Sequence, residues 1–272
     1  IALIPDPAYP VYGVGTMFAG AESHIMPLYE KNGWLPDLDA IPSDVARNAK
    51  LMWLNYPNNP TSATASEEDF ISAIAFCREN DIALLHDAAY SEVGYEGYKP
   101  ISYLEVAGSK DIGLEFHSLS KTYNMTGWRI GFAGGPREIM AAIGAIQSQN
   151  ASSPSTISQI AAIEALDGPQ DHIARHNVSF KARRDVAVDM LDRAAGLACH
   201  RPEGAFYVYP SCAGCIGKRT LAGETIATDE DFVGALLDAE GVAAVHGAAF
   251  GLSPYFRIPY ALDPSELTEA LT

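Results

Sequence analysis

Short apolar runs alternate with longer segments of helical periodicity, and this rhythm leaves few folds open to the chain. Leu51-Met52-Trp53-Leu54-Asn55 stops at the cluster Pro57-Asn58-Asn59-Pro60. Ile82-Ala83-Leu84-Leu85 ends in His86-Asp87, and Ile112 to His117 runs into Ser118-Leu119-Ser120-Lys121. Arg129 to Gly134 is a further short strand. Ser66 is placed to cap a helix whose first turn holds Glu67, Glu68 and Asp69, where carboxylates favour the helix dipole. Phe70, Ile71, Ile74 and Ala75 supply that helix with an apolar face. Short apolar strands alternating with helices predict βαβ units: a three-layer α/β fold with a mostly parallel sheet. From 136 to about 191 the pattern is helical, broken at Gly168-Pro169. Phe206 to Tyr209, a helix over 229–240, the run 242–245 and Phe256-Arg257-Ile258 then predict a smaller α+β unit. The sequence therefore predicts two domains, 1–185 and 186–272.

Charge narrows the function classes. The 272 residues hold 18 Lys and Arg against 34 Asp and Glu, a formal net charge of −16. Such a chain lacks the basic face that nucleic acid or an anionic membrane requires, and no apolar run approaches the length of a spanning helix. Small anionic ligands stay open wherever a few Arg or Lys gather. Four cysteines are too few for a disulfide scaffold, which points to a reducing cytoplasm. Cys77 and Cys199 read as small buried hydrophobes. Cys212 and Cys215 form a lone CxxC, either a redox pair or half a zinc site, or a loop with two thiols; no second pair accompanies it. The chain opens on Ile1-Ala2-Leu3-Ile4, as if within a strand. The expectation is that further residues precede it, since a start there would leave an open sheet edge, and that the helix beginning near Ser265 is cut short.

In open α/β sheets, ligands lie outside the carboxyl ends of the strands. Asn59, Asp87 and the segment Ser118 to Lys121 follow three successive strands and can converge on one crevice. A single Asp or Asn in such a place is normally a cap or turn residue; the coincidence of several carries the weight. Most lysines are solvated surface charges, but one with a depressed pKa can form a Schiff base. Ser118, Ser120 and Arg129 near Lys121 could hold a phosphate through hydroxyls and a guanidinium fork.

At this point the motifs resemble a known family. Ser118-Leu119-Ser120-Lys121 followed by Gly127-Trp128-Arg129-Ile130-Gly131 is similar to the lysine signature of the class I/II aminotransferases, the fold-type-I pyridoxal-phosphate enzymes. Asn59-Pro60-Thr61 resembles the family's Asn-Pro-Thr-Gly loop, with Ser62 in place of Gly, and Asp87-Ala88-Ala89-Tyr90 resembles its Asp-x-x-Tyr strand end. Phe256-Arg257-Ile258 resembles the C-terminal arginine motif, and Pro7-Ala8-Tyr9-Pro10 the loop that brings an aromatic to the cofactor ring. The resemblance implies pyridoxal 5'-phosphate as cofactor and a Schiff-base lysine at 121 that also serves as the base. It implies that Asp87 pairs with the ring nitrogen, that Asn59 and Tyr90 meet the phenolic oxygen, and that Tyr9 stacks on the ring. Ser118, Ser120 and Arg129 would bind phosphate, and Arg257 the substrate α-carboxylate, beside Asn59.

The same resemblance implies an amino acid and a 2-oxo acid as substrates, and a homodimer. The segment 202–211 is most similar to bacterial aspartate aminotransferases, whereas 6–135 is closer to LL-diaminopimelate aminotransferases. The primary expectation is transamination of aspartate or a related acidic amino acid with 2-oxoglutarate. LL-diaminopimelate, or another reaction on the same cofactor such as β-elimination, is the alternative; a catalytically incomplete fragment or interaction subunit is the alternative from another class. The aspartate reading asks for a second cation to meet the distal carboxylate, and the sequence offers no obvious one.

Overall fold

The computed structural model describes residues 1–220 and 222–272. In chain order the first part comprises β1 (Ala2–Asp6), α1 (Val11–Phe18), β2 (Ser23–Pro27), α2 (Ser43–Asn48), β3 (Leu51–Leu54), α3 (Glu67–Glu79), β4 (Ala83–Asp87), β5 (Gly113–Ser118), α4 (Leu119–Thr122) and β6 (Gly131–Gly134). There follow α5 (Arg137–Asn150), α6 (Thr156–Asp167), α7 (Asp171–Leu191), β7 (Tyr207–Val208), α8 (Asp229–Glu240), β8 (Val245–His246), β9 (Phe256–Pro259) and α9 (Pro264–Leu271).

Six strands form one sheet in the order β2-β1-β3-β4-β5-β6. All neighbours are parallel except β5 and β6. The expected three-layer α/β class is therefore the observed one. Leu3, Met52, Leu84 and Leu114 are each at most 2% exposed, and burying each such side chain contributes roughly 1.5–3 kcal/mol. Ser66 caps α3 as the sequence predicts: its Oγ accepts from the Asp69 amide at 3.3 Å, and the Asp69 carboxylate accepts from the Ser66 amide at 2.7 Å.

Several expectations need correction. β1 is not an edge: β2 covers one side and β3 the other. The edge on this side is β2, whose exposed and half-buried residues carry no continuous apolar signal; β6 forms the other edge. The helical stretch breaks at 151–155 as well as at Gly168-Pro169, because the Ser155 side chain caps a new helix through the Ser158 amide. The strand expected at 129–134 begins only at Gly131; Arg129 sits in the left-handed region with φ 51°. The run 242–245 is extended only at its end, in β8.

The second sheet is small, in the order β7-β9-β8, and antiparallel. Its cluster joins Val208, Phe256, Ile258 and Tyr260 to Ala187, Val188 and Leu191 of α7. The same cluster includes Tyr90 and Tyr95 from beyond β4, so the two sheets meet over a shared apolar seam. Chain order along the large sheet reverses at β1, whose neighbours are β2 and β3. A crevice at the carboxyl ends of β1, β3, β4 and β5 is the expected ligand position.

Candidate active site

Four strand ends and one strand of the small sheet meet at a single cavity of ≈ 390 Å³, within the range of small-molecule sites, about 300–1,000 Å³. Tyr9 enters from beyond β1, Asn59 from beyond β3, Asp87 and Tyr90 from the end of β4, Ser118, Ser120 and Lys121 from β5 and α4, Arg129 from the turn before β6, and Arg257 from β9. Every site residue singled out from the sequence lines this one cavity. Asn55, Thr126 and Tyr207 line it too and were not foreseen.

At one end the Asp87 carboxylate accepts a hydrogen bond from the Tyr12 hydroxyl at 2.8 Å. Tyr12 is 1% exposed and stacks on Trp53 with ring centroids 4.7 Å apart. Burial pushes the Asp87 carboxyl up from its ordinary value; the Tyr12 hydrogen bond and the charges of His86 and His117 oppose that rise. The Asn55 amide donates to the Asp87 carbonyl at 2.7 Å, and its oxygen accepts from the Asn59 backbone N–H at 2.8 Å. Asn55 thus ties the Asn-Pro loop to the end of β4. No motif marked Asn55 or Tyr12, although Tyr12 stands one helical turn after Tyr9.

On the opposite face of the sheet, Glu115 is fully buried and accepts from His117 at 2.7 Å, Ser102 at 2.7 Å and the Tyr103 amide at 2.6 Å, with His86 at 3.0 Å. Burial alone would raise its carboxyl; the hydrogen bonds from His117, His86 and Ser102 hold it well below the usual range. This set clamps β4 to β5 directly behind Asp87 and Ser118.

Lys121 lies on α4, at the middle of the cavity. Desolvation lowers its ammonium pKa, and the like charges of Arg257 and Arg129 add to that, with Asp87 opposing. The amine is therefore easier to deprotonate than a surface lysine. Beside it, Ser118 Oγ accepts from the Ser120 amide at 3.2 Å, and Arg129 donates to the Thr126 carbonyl at 2.9 Å. Those hydroxyls and the Arg129 guanidinium gather in one corner the donors that an anion would need.

Arg257 closes the other wall. Its Nη1 donates to Asn59 Oδ1 at 2.8 Å, and its guanidinium lies over the rings of Tyr207 and Phe250 at 4.6 and 4.8 Å. Its Nε is buried without a partner, as expected of a guanidinium whose fork still has a carboxylate to receive. Tyr90 and Tyr207 share a hydrogen bond at 2.8 Å. An acid at one end, hydroxyls and a guanidinium at the other, a softened amine between them and an orphaned guanidinium nitrogen fit a phosphorylated pyridine aldehyde together with an amino acid.

Cys212 and Cys215 lie away from this cavity. Both are buried, and burial pushes the Cys212 thiol up to about 11, which disfavours the exposed, easily ionised thiol of a redox pair. Among the described residues no group of three His, Cys, Asp or Glu could hold a metal ion, and no helix is long and apolar enough to cross a membrane.

Comparison with known proteins agrees with the geometry. Residues 1–272 match the family described as aminotransferase class I and II. The LL-diaminopimelate aminotransferase of Syntrophobacter fumaroxidans is 46% identical over all of this chain and 67% of its own length. That of Desulforudis audaxviator is 44% identical, again across 67% of its length. Among solved structures, the aspartate aminotransferase of Rhizobium meliloti superposes with a TM-score of 0.92 at 39% identity, covering 99% of this chain and 68% of that one. The chain belongs to the class I and II aminotransferases, the fold-type-I transferases that use pyridoxal 5'-phosphate. It spans about two thirds of the length of the curated relatives it matches.

Proposed function

We propose that this chain carries the catalytic core of an aminotransferase for LL-diaminopimelate, with 2-oxoglutarate as amino acceptor. Eight relatives at 40–46% identity bear the name LL-diaminopimelate aminotransferase, and this favours the alternative over the aspartate expectation. Aspartate stays as the second reading, supported by the likeness to the Rhizobium enzyme.

The observation that carries the reading is the convergence of Lys121, Asp87 and Arg257 on one cavity. Bound pyridoxal phosphate supplies an electron-withdrawing ring that accepts the electron pair left when a substrate Cα–H proton departs. Asp87, held by Tyr12, would pair with the ring nitrogen and keep a proton on it. Lys121, with its lowered pKa, takes up the Cα proton and returns it on the cofactor side. Asn59, whose oxygen is engaged by Arg257, has its amide N–H₂ free for the phenolic oxygen, and Tyr90 donates beside it. Ser118, Ser120 and Arg129 hold the phosphate, Tyr9 covers the ring, and Arg257 grips the α-carboxylate.

Two features of the whole protein belong to the same proposal. Residues 1–185 and 186–272 act as a cofactor-binding and a closing domain. A second copy covers α6, where Ile157, Ile160 and Ile163 are 60–72% exposed. The four free thiols accord with a cytoplasmic protein.

The test is a substrate panel. The protein, purified with pyridoxal phosphate, is given 2-oxoglutarate with LL-diaminopimelate, aspartate or alanine, and glutamate is measured. Diaminopimelate is expected to lead aspartate by at least about tenfold in kcat/KM, about 1.4 kcal/mol. The reverse order would restore the aspartate reading; pyruvate and ammonia released from a β-substituted amino acid such as serine, with no 2-oxoglutarate consumed, would point to β-elimination; no turnover together with no cofactor binding would favour an interaction subunit.

A further inference from the structure

A second cavity, ≈ 420 Å³, shares Ser120, Lys121 and Thr126 with the first and extends to α7. Lys121 therefore stands at the junction of two chambers, one holding Arg257 and the other walled by a helix. His176, Ser179, Phe180 and Arg183 of α7 line the second chamber. Their spacing of i, i+3, i+4 and i+7 puts them on one helical face.

Arg183 differs from its neighbour. Arg184 is fully buried and fully engaged: Glu96 at 2.9 Å, Asp185 at 2.7 Å and the Pro202 carbonyl at 2.8 Å take its donors. Arg183 joins none of the ion pairs among the described residues. Its Nε is buried without a hydrogen-bond partner, and its guanidinium lies 5.7 Å from the Phe180 ring centroid. Phe206 forms the opposite apolar wall, with the Lys121 ammonium 5.6 Å from its ring centroid. A guanidinium with a buried, unpartnered Nε, lining a chamber walled by Phe180 and Phe206, suits an apolar stem that ends in a carboxylate.

We propose that this chamber receives the substrate side chain and that Arg183 binds its distal carboxylate. The inference rests on the reading that Lys121 receives an amino acid whose α-carboxylate lies on Arg257. It supplies the second cation that the sequence did not disclose. The chamber also suits a distal ammonium, because His176 on the same helical face offers it a ring nitrogen. The substrate class is thus a long-chain amino acid whose far end carries a carboxylate, with or without an amine beside it.

Calorimetry on the cofactor-loaded protein, with pimelate and its monoacid counterpart heptanoate as probes, isolates this contact from turnover. Arg183→Gln is expected to weaken pimelate about tenfold to a hundredfold, the range of a lost hydrogen bond to a charged group, and to leave heptanoate unchanged. Arg183→Lys should recover part of the loss. Asn124→Asp, an exposed position on the same chamber, sets a carboxylate against the ligand and should weaken pimelate without disturbing the fold. In turnover, Arg183→Gln should raise KM for LL-diaminopimelate with little change in kcat and spare norleucine. Equal losses for pimelate and heptanoate, or none for either, would overturn the assignment. A wild-type protein that transaminates aspartate but not diaminopimelate would overturn the substrate reading instead, while the pimelate comparison still decides the role of Arg183.

Discussion

Replacing Tyr12 by Phe removes one oxygen and little else, since the ring keeps its stacking on Trp53. The lost group is the donor that meets Asp87 at 2.8 Å in a site from which Tyr12 is 99% excluded by its 1% exposure. A hydrogen bond to a charged group contributes about 1.5–3 kcal/mol, and one pKa unit corresponds to 1.36 kcal/mol. Burial already raises the Asp87 carboxyl, and the Tyr12 bond works against that rise. Without it the carboxyl climbs further above its ordinary value. The sign follows directly: Asp87 serves as the anion, so protonation switches the site off, and a higher pKa moves the acidic limb of kcat/KM to higher pH. The assay is the pH profile of kcat/KM from pH 5 to 9 for both proteins, with cofactor affinity followed by absorbance. An acidic limb at the same pH in both, with equal cofactor affinity, would refute the claim that Tyr12 supports the charge on Asp87.

Other perturbations have equally definite outcomes. Glu115→Gln strands His86 and His117 behind the active-site strands and should cost about 3 kcal/mol in urea unfolding. Because the folded-state pKa of Glu115 is depressed, wild-type stability should be intact above its ordinary value of 4.5 and decline as pH falls below it, and the Gln variant should lack that part of the decline. Arg257→Lys removes the bidentate fork and should raise KM for every amino acid tested by about tenfold or more, with or without a distal carboxylate. Ser66→Ala breaks the α3 capping box and should lower stability by about 1 kcal/mol without altering kcat, as thermal melts and initial rates would show.

Much of the large sheet was legible because β3, β4 and β5 lie inside the sheet and carry apolar cores, Met52 to Leu54, Leu84-Leu85 and Leu114, that end in polar residues. β2 was not, because it is an edge strand in which only Met26 is fully buried. The two-residue strands β7 and β8 were legible only as extended apolar patches, since their length is set by pairing with β9 and not by local pattern. Within the site, the residues with distinctive chemistry in distinctive company, such as Lys121 between its serines and Arg129, stood out. Tyr12, Asn55 and Arg183 did not. A tyrosine in a helix, an asparagine at a strand end and one of two adjacent arginines have ordinary structural uses, and tertiary contact alone separates them from those uses. The contrast between Arg183 and Arg184 makes the point: the sequence presents two equal cations, and the fold satisfies one and leaves the other facing a chamber.

The central claim is that the amine at 121 is the one poised for an aldehyde. Borohydride reduction of the protein incubated with pyridoxal phosphate, followed by peptide mass mapping, tests it directly. A single modified residue, Lys121, is expected, with modification abolished in Lys121→Ala. Modification spread over exposed lysines such as Lys50, or persisting unchanged in the Ala variant, would contradict it.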